Sequence, residues 1–343
     1  MNRKMTAQKI GKGIQIRAGM GQEEIQKLAD SDLTLNVRLT NDFAFKKVFR
    51  NKKALAGLLS ALLEIPVETI VKLEFLDTLQ LGNYPKDKKG ILDIKVHLNN
   101  SKKINIELQV AEEPYWKERS LFYLCRMYTA DLASGENYSL LEPCIHISIL
   151  AFDPPEGAGL YSTIRIMDEK TRQIYSDKLG LRVLYLKKLN RATRKERKSE
   201  VYHWAKLISA RDWDALRRIA MQDEYKAEAV REMEKINADR YLRYEYISQE
   251  IAQLDENTRR AEERRLREVA HEAGRLEGLE AGRLEGLEAG RAEERQIQQK
   301  HQLEKTKIIA QKMLENGTSV QQIADILEFP EDEITLWFRS KEE

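Results

Sequence analysis

The sequence has few cysteines and no long apolar run, and each absence excludes a class of protein. Its only two cysteines, Cys125 and Cys144, lie in apolar segments, so we expect buried thiols in a reducing compartment. No run is long and apolar enough to predict a membrane span, and the basic N-terminus lacks the apolar stretch of a secretory signal. We therefore expect a cytoplasmic protein.

An excess of charge of one sign is also missing. The 58 Lys and Arg residues nearly balance the 56 Asp and Glu residues, which leaves a formal net charge of +2. No global field then draws the chain to nucleic acid, and any such binding has to come from a local patch. The basic run over residues 187–198 is either a phosphate contact or a solvated linker.

Two short segments with alternating apolar and polar residues predict a β-hairpin. Residues 90–98 and 104–110 alternate at period two, and Asn99-Asn100-Ser101 between them is typical of a turn. If the hairpin folds around Asn100, Asp93 lies opposite Glu107, with the two Cβ atoms ~5 Å apart. Two carboxylates so close repel each other unless a cation lies between them, and a divalent cation with oxygen ligands fits. From the hairpin alone, a polar face in water is the favoured alternative.

The order of predicted elements indicates an α/β domain followed by helices. A helix begins near Thr40 or Asn41, and helices and strands then alternate. We predict a loose arm over 1–34, the α/β domain over 35–190, a charged helical region over 191–302 and a small helical unit over 303–343. The last unit resembles helix-turn-helix modules, although three small helices commonly pack together without DNA.

A repeat of eight residues occupies the charged helical region. Within residues 273–290, glycine recurs at every fourth position. Each glycine costs an isolated helix ~1 kcal/mol relative to alanine, which favours a use for so many glycines, such as the close approach of another backbone. The segment is therefore either a packing helix, with a second copy in a homodimer as its partner, or a flexible charged tether.

Several segments in a fixed order resemble a known family. Residues 42–49 carry an Asp-x-x-Phe-Lys-x-x-Phe helix, and Leu92-Asp93-Ile94 is followed by Ile106-Glu107-Leu108-Gln109. Residues 119–123, 135–138 and 145–152 complete the order. Together they resemble the PD-(D/E)XK nuclease superfamily, in its bacterial transposase-like branch of recombination-promoting nucleases. The resemblance implies a restriction-endonuclease-like mixed sheet flanked by helices, then a long helical tail and a small C-terminal helical unit.

Two positions depart from the motif that names the superfamily. Leu92 stands where the name has proline, and Gln109 stands where it has lysine. The transposase-like branch is known for that glutamine, which favours membership. The positive charge that the lysine of the motif provides then has no assigned residue. Lys95 shares the predicted strand face of Asp93 and is a candidate for that cation, with an ordinary surface lysine as the alternative.

The resemblance implies cleavage of DNA with Mg²⁺ or Mn²⁺. Asp93 and Glu107 would hold the metal, and Gln109 would orient the attacking water. Asp42 lies on the helix face of Phe45 and Phe49. It either points toward the site or is an ordinary acidic residue of the first turn, stabilised there by the helix dipole. The candidate nucleic-acid contacts are Arg119, Lys46 and Lys95, with a surface salt bridge as the alternative for Arg119. A decayed nucleic-acid-binding or regulatory protein and an assembly protein remain alternative functions.

Overall fold

This computed structural model describes residues 14–77, 79–80, 90–91, 93–153, 155, 157–221 and 223–339. Residues 1–13, residues 81–89 and Leu92 lie outside the described residues. The chain divides into two compact units, one that ends at Arg259 and one that begins at Arg260. Within the described part of the chain, no helix is long and apolar enough to cross a membrane.

A mixed sheet of six strands forms the centre of the first unit. The described strands are β1 (Leu73–Phe75), β2 (Leu79–Gln80), β3 (Gly90–Ile91), β4 (Ile94–Leu98), β5 (Lys102–Gln109), β6 (Cys144–Leu150), β7 (Tyr161–Met167) and β8 (Ile174–Tyr185). The sheet order is β1-β4-β5-β6-β8-β7, and β2 pairs with β3 separately. Strands β5, β6 and β8 run parallel, and the other neighbours are antiparallel. This mixed α/β architecture confirms the predicted fold class.

Ten described helices surround or follow the sheet. They are α1 (Gln22–Asp30), α2 (Asp42–Val48), α3 (Lys52–Leu63), α4 (Trp116–Thr129), α5 (Glu200–Ser209), α6 (Trp213–Ala220), α7 (Glu224–Ala238), α8 (Arg240–Glu315), α9 (Val320–Leu327) and α10 (Glu331–Arg339). Short 3₁₀ helices occupy Val67–Thr69, Tyr138–Leu140, Leu186–Arg191 and Glu196–Lys198. Asn41 caps α2 by accepting a hydrogen bond from the Ala44 backbone, as its position before the apolar stripe predicted.

The two faces of the sheet bury different sets of side chains. Ile104, Ile106 and Leu108 of β5 belong to the main core, together with residues of α2, α3 and α5 to α8. On the other face, Trp116 of α4 packs with Leu150, Val183 and Tyr185. The sheet is therefore covered on both sides, which differs from the half-buried hairpin that the alternating pattern predicted. Strand β5 is buried from Lys103 to Leu108, polar residues included.

The predicted hairpin register is confirmed. Strands β4 and β5 pair Ile94 with Ile106 and Leu98 with Lys102, around the turn at residues 99–101. Asn99 and Asn100 both adopt positive φ, which asparagine tolerates better than most residues. The Asn99 side chain also accepts hydrogen bonds from the backbone of Val71 and Lys72 at 2.9 Å, which ties the turn to the segment before β1.

The predicted loose arm is ordered over its described part. Residues 22–30 form α1, which buries Ile25 and Ala29 against the main core. Gly19 donates its backbone N–H to Asp255, and Leu35 donates to Asn237. The polar composition of the segment concealed this order because its partners lie more than 200 residues further along the chain.

Arg243 of α8 fixes the segment that follows α1. This buried guanidinium donates hydrogen bonds to the backbone carbonyls of Leu28, Ala29, Ser31 and Leu33. Five donors in a planar fork allow a single arginine to satisfy several carbonyls at once. The start of α8 and the N-terminal segment therefore form one packed body.

The first unit extends well beyond the domain boundary predicted at residue 190. Trp204, Leu216 and Met233 lie on α5, α6 and α7 and are buried in the same core as the sheet. The amphipathic pattern of these helices would fit a separate domain equally well, so it gave no boundary. The prediction of buried thiols is also wrong for Cys125, which is exposed on the outer side of α4, whereas Cys144 is buried.

The second unit consists of the rest of α8 and two short helices. Ser319 caps α9 in a capping box with Gln322, and Ile323, Ala324 and Ile334 form a small core with Ala310. A Cβ added at any repeat glycine from Gly274 to Gly290 would meet nothing within 4 Å. The glycine repeat lies within α8, and its glycines pack against no other described element. The packing helix and the tether both stay predictions. The helix-turn-helix resemblance of the last residues stays a prediction.

Candidate active site

Asp93 lies in a bend immediately before β4. Its Oδ2 accepts a hydrogen bond from the Leu108 backbone at 3.0 Å, and its Oδ1 lies 3.1 Å from the Nζ of Lys46. Burial raises the pKa of Asp93, and the neighbouring Lys46 partly offsets that effect. The last β4–β5 pair at the open end of the hairpin is Ile94 with Ile106, so Asp93 and Glu107 are the next residues there, and the charge of Asp93 acts on Glu107.

Glu107 is a buried carboxylate with one satisfied and one unsatisfied oxygen. Its side chain is 3% exposed, and its Oε1 accepts hydrogen bonds from the Nε and Nη2 of Arg119 at 3.1 and 2.8 Å. Its Oε2 is buried and has no hydrogen-bond partner among the described residues. Burial raises the pKa of Glu107 to about 7; Arg119 opposes the rise and the nearby Asp93 adds to it. An unsatisfied buried carboxylate oxygen of this kind calls for a cation or a donor.

Lys46 connects Asp42 to the site. Its Nζ lies 2.8 Å from the Oδ2 of Asp42, one helical turn earlier in α2, and also reaches Asp93. Burial lowers the pKa of Lys46, but the attraction of Asp93 and Asp42 outweighs it, so the pKa is raised and the lysine stays charged. The sequence had suggested Lys46 as a nucleic-acid contact; the structure places it in a carboxylate-lysine-carboxylate chain.

Gln109 ends β5 at the same end of the hairpin. Its Nε2 donates to the carbonyl of Ala111 at 3.0 Å, while its Oε1 makes no hydrogen bond within the described part of the chain. Lys95 does not join the group. The charges that influence its pKa belong to Asp131, Lys103, Cys144 and Asp77, and burial lowers that pKa. Lys46, rather than Lys95, is therefore the lysine beside the predicted carboxylates.

A buried polar group lies beside Glu107, and no role in the site was predicted for it. His146 and Ser148 of β6 lie in register with Asn105 and Glu107 and are fully buried. The Nδ2 of Asn105 lies 3.0 Å from the Nδ1 of His146, and the Nε2 of the same ring lies 3.9 Å from the Oε2 of Glu107. Burial, and then Arg119, lower the pKa of His146 to about 3, so the ring is neutral. Two polar residues two apart in an otherwise apolar strand were the available signal.

The donor set fits one hard divalent cation. Within the described ranges, no group of three or more His, Cys, Asp or Glu side chains could hold a metal ion. Mg²⁺, however, is usually bound by one or two carboxylates, with waters and substrate phosphate oxygens in the remaining positions. Asp93 and Glu107 provide two carboxylates, and the unsatisfied Oε2 of Glu107 provides an oxygen that needs a positive partner. These residues are compatible with such an ion.

One of three comparisons with known proteins finds a match. A family model described as PD-(D/E)XK nuclease family transposase matches residues 39–263. The match includes Asp42, Lys46, Asp93, Glu107 and Gln109 and ends before the glycine repeat. No curated protein and no solved structure matches the chain.

Proposed function

Because the chain belongs to the PD-(D/E)XK nuclease family transposases, we propose that it is a Mg²⁺-dependent endonuclease that hydrolyses phosphodiester bonds in DNA. Membership supports a nuclease or transposase-like function, and nucleases of this superfamily typically use divalent metals. The observation that carries the finer proposal is the buried Glu107, whose unsatisfied oxygen lies at the hairpin end beside Asp93. Mn²⁺ has the same ligand preferences and is the alternative ion.

Asp93 and Glu107 would hold the ion, and each is already oriented by a second contact. The Leu108 backbone fixes Asp93, and Arg119 fixes Glu107 through two hydrogen bonds. A divalent cation bound there supplies positive charge for the developing phosphate charge and lowers the pKa of a nearby water. One oxygen of each carboxylate is already held by such a contact, which limits the reorganisation that binding requires. The Oδ1 of Asp93 would lie between the ion and the Nζ of Lys46.

Gln109 and Lys46 divide the role that a single lysine has in the motif that names the superfamily. The amide of Gln109 cannot act as a base, but its free Oε1 accepts a hydrogen bond from the attacking water and orients it. Lys46 provides the positive charge. Its side chain is 37% exposed, so it contacts Asp93 and still faces the solvent from which a phosphate would approach. Asp42 holds Lys46 in this position from one turn earlier.

Plasmid cleavage by the full chain tests the proposal. We expect nicking or cutting with Mg²⁺ and none in EDTA. Asp93→Asn and Glu107→Gln should each reduce the rate on the order of 10³-fold, since each removes a charged ligand at the site of charge development. Glu169→Gln is the matched control, because this exposed carboxylate lies in the turn between β7 and β8. Cleavage that survives both site substitutions, with circular dichroism unchanged, would contradict the proposal.

The alternatives differ in what they require of the site. A decayed nucleic-acid-binding or regulatory protein has no need to keep a buried carboxylate with an unsatisfied oxygen, so Glu107 favours an enzyme. A link to recombination or mobile elements is part of the same proposal and rests on the family description alone. A cytoplasmic location stays a prediction.

Assembly through residues 273–290 remains a separate proposal. All five repeat glycines are open to close approach by another backbone. If two copies associate there, sedimentation velocity should show a dimer that leucine at Gly278, Gly282 and Gly286 weakens. A monomer before substitution would favour a simple tether.

A further inference from the structure

A cleft with a basic wall opens beside the acidic site in the first unit. Its volume is about 970 Å³. The described lining residues include five basic side chains and one acidic side chain, Asp153; the basic ones are Arg38, Lys187, Lys188, Arg191 and Arg211. We call these five residues and the concavity between them the basic cleft. Three of them come from the start of the basic run, which the sequence left open between a linker and a phosphate contact.

The basic cleft begins where the parallel strands end. Gln109, Leu150 and Tyr185 are in register across β5, β6 and β8. The residues that directly follow β6 and β8, Ala151 and Leu186, line the cleft. The Ala151 backbone donates to the Gln109 carbonyl at 2.9 Å. Crevices at the carboxyl ends of parallel strands are common ligand sites. The cleft therefore starts about one residue beyond the candidate water-orienting glutamine.

Most of the positive charge in the basic cleft is uncompensated. Lys187 pairs with Asp153 at 2.8 Å. The other four basic side chains form no ion pair within the described ranges, in contrast to Lys46 and Arg119 of the acidic site. Arg38, Arg191 and Arg211 are also exposed. Unpaired cations around a concavity produce a local positive potential although the whole chain is nearly neutral.

We propose that the basic cleft binds backbone phosphates of duplex DNA on one side of the bond that is cut. The proposal rests on the proposed nuclease function. The basic side chains come from three segments of the chain, around residues 38, 187–191 and 211, so they can follow a run of phosphates rather than enclose one. Side chains that contact phosphate position a duplex without reading its sequence, so the cleft contributes affinity and register but no specificity.

Binding and cleavage are measured separately on the full chain. Fluorescence anisotropy with a labelled 30-base-pair duplex, in EDTA so that no cutting occurs, gives Kd at several salt concentrations. The cleft variant carries Lys188→Gln, Arg191→Gln and Arg211→Gln. The control carries Arg165→Gln, Lys170→Gln and Arg172→Gln, which remove the same charge at the opposite end of β8. An RNA duplex of the same length is the second probe.

We expect the cleft variant to bind DNA about tenfold or more weakly, with the slope of log K against log salt reduced by ~0.9 for each phosphate that the variant no longer neutralises. The control should retain the wild-type slope. Equal slopes for the two variants, no binding of DNA by the wild type, or tighter binding of RNA would overturn the assignment. Wild-type DNA binding that depends on the cleft without any cleavage would overturn the proposed function and leave the cleft standing. If the wild type cleaves DNA but the cleft substitutions do not change DNA binding, the cleft assignment is overturned and the proposed function stands.

Discussion

Two helices of this chain contain glycine in opposite surroundings. At Gly57 of α3, an added Cβ would fall against the Cβ of Tyr225 and 2.9 Å from the Trp204 ring. At Gly278 of α8, the same atom would meet nothing within 4 Å. Gly57 is therefore required by the packing of α3 on α5 and α7, whereas nothing in the described chain requires Gly278. Glycine in α3 is thus explained by a tertiary contact, whereas glycine in the repeat of α8 lies on an exposed surface without such a contact.

The ion pairs of the two regions differ in the same way. In the first unit, Arg119 meets the buried Glu107, and Lys46 meets Asp93, 47 positions later in the chain. Along α8, Arg275 pairs with Glu272 and Lys307 with Glu304, three residues away on the same helix. Charges brought together by the fold can perform chemistry at a fixed point. Charges paired within one exposed helix contribute little to stability and mainly keep the helix soluble.

The largest expected difference between the regions concerns these lysines. Lys46→Met should reduce Mg²⁺-dependent plasmid cleavage about 100-fold, because it removes one preorganised positive group beside the reacting phosphate. Lys307→Met removes a lysine whose pairing is local, and the cleavage rate should stay within twofold of wild type. Initial rates from gel densitometry measure both, with circular dichroism to verify folding. Equal rates for the two variants would remove Lys46 from the proposed mechanism.

The next largest expected effect is a loss of stability on substitution of Gly57, the packed glycine of α3. Gly57→Ala should lower the free energy of unfolding by about 1–3 kcal/mol, since the added methyl overpacks a contact between α3 and α7 that cannot open without moving backbone. Urea denaturation followed by tryptophan fluorescence measures it, because Trp204 lies at the contact. An unchanged midpoint would mean that α7 packs less closely than described.

The smallest effect has the opposite sign. Gly278→Ala should stabilise the local helix by up to ~1 kcal/mol, the difference in helix propensity, because no contact opposes the methyl group. Hydrogen exchange of amides near residue 278 should slow, while the urea midpoint of the first unit should not change. Faster exchange, or a weaker helical signal, would show that these glycines are needed in an assembly that alanine disturbs.

The hairpin was predictable, and its chemical surroundings were not. Period-two alternation and the asparagine turn predicted which residues of β4 and β5 oppose each other, and hence that Asp93 and Glu107 follow the last pair at the open end. The same alternation suggested Lys95, which lies two residues along the strand and therefore roughly 7 Å from Asp93. Lys46 comes from a helix far earlier in the chain, and no local pattern describes how that helix approaches the sheet.

Burial of the polar strand face was equally inaccessible to the sequence. Residues of β5 that alternate with apolar ones would face water in a two-layer fold, but α4 covers them here. The raised pKa of Glu107 and its contact with Arg119 both follow from that cover. The extent of the first unit was misjudged for a similar reason, because helices that complete a core have the same periodicity as helices that stand apart.

The hydrogen bonds that Arg243 donates to the N-terminal segment affect when that segment can fold during synthesis. The carbonyls it binds belong to residues 28–33, which leave the ribosome more than 200 residues before their partner. At roughly 5–20 residues per second, the N-terminal segment waits on the order of ten to forty seconds for Arg243 to be synthesised. Until then, the apolar side chains that α8 will cover have no native partner there. Nascent chains that stop before residue 251 should therefore need chaperones more than the complete first unit does.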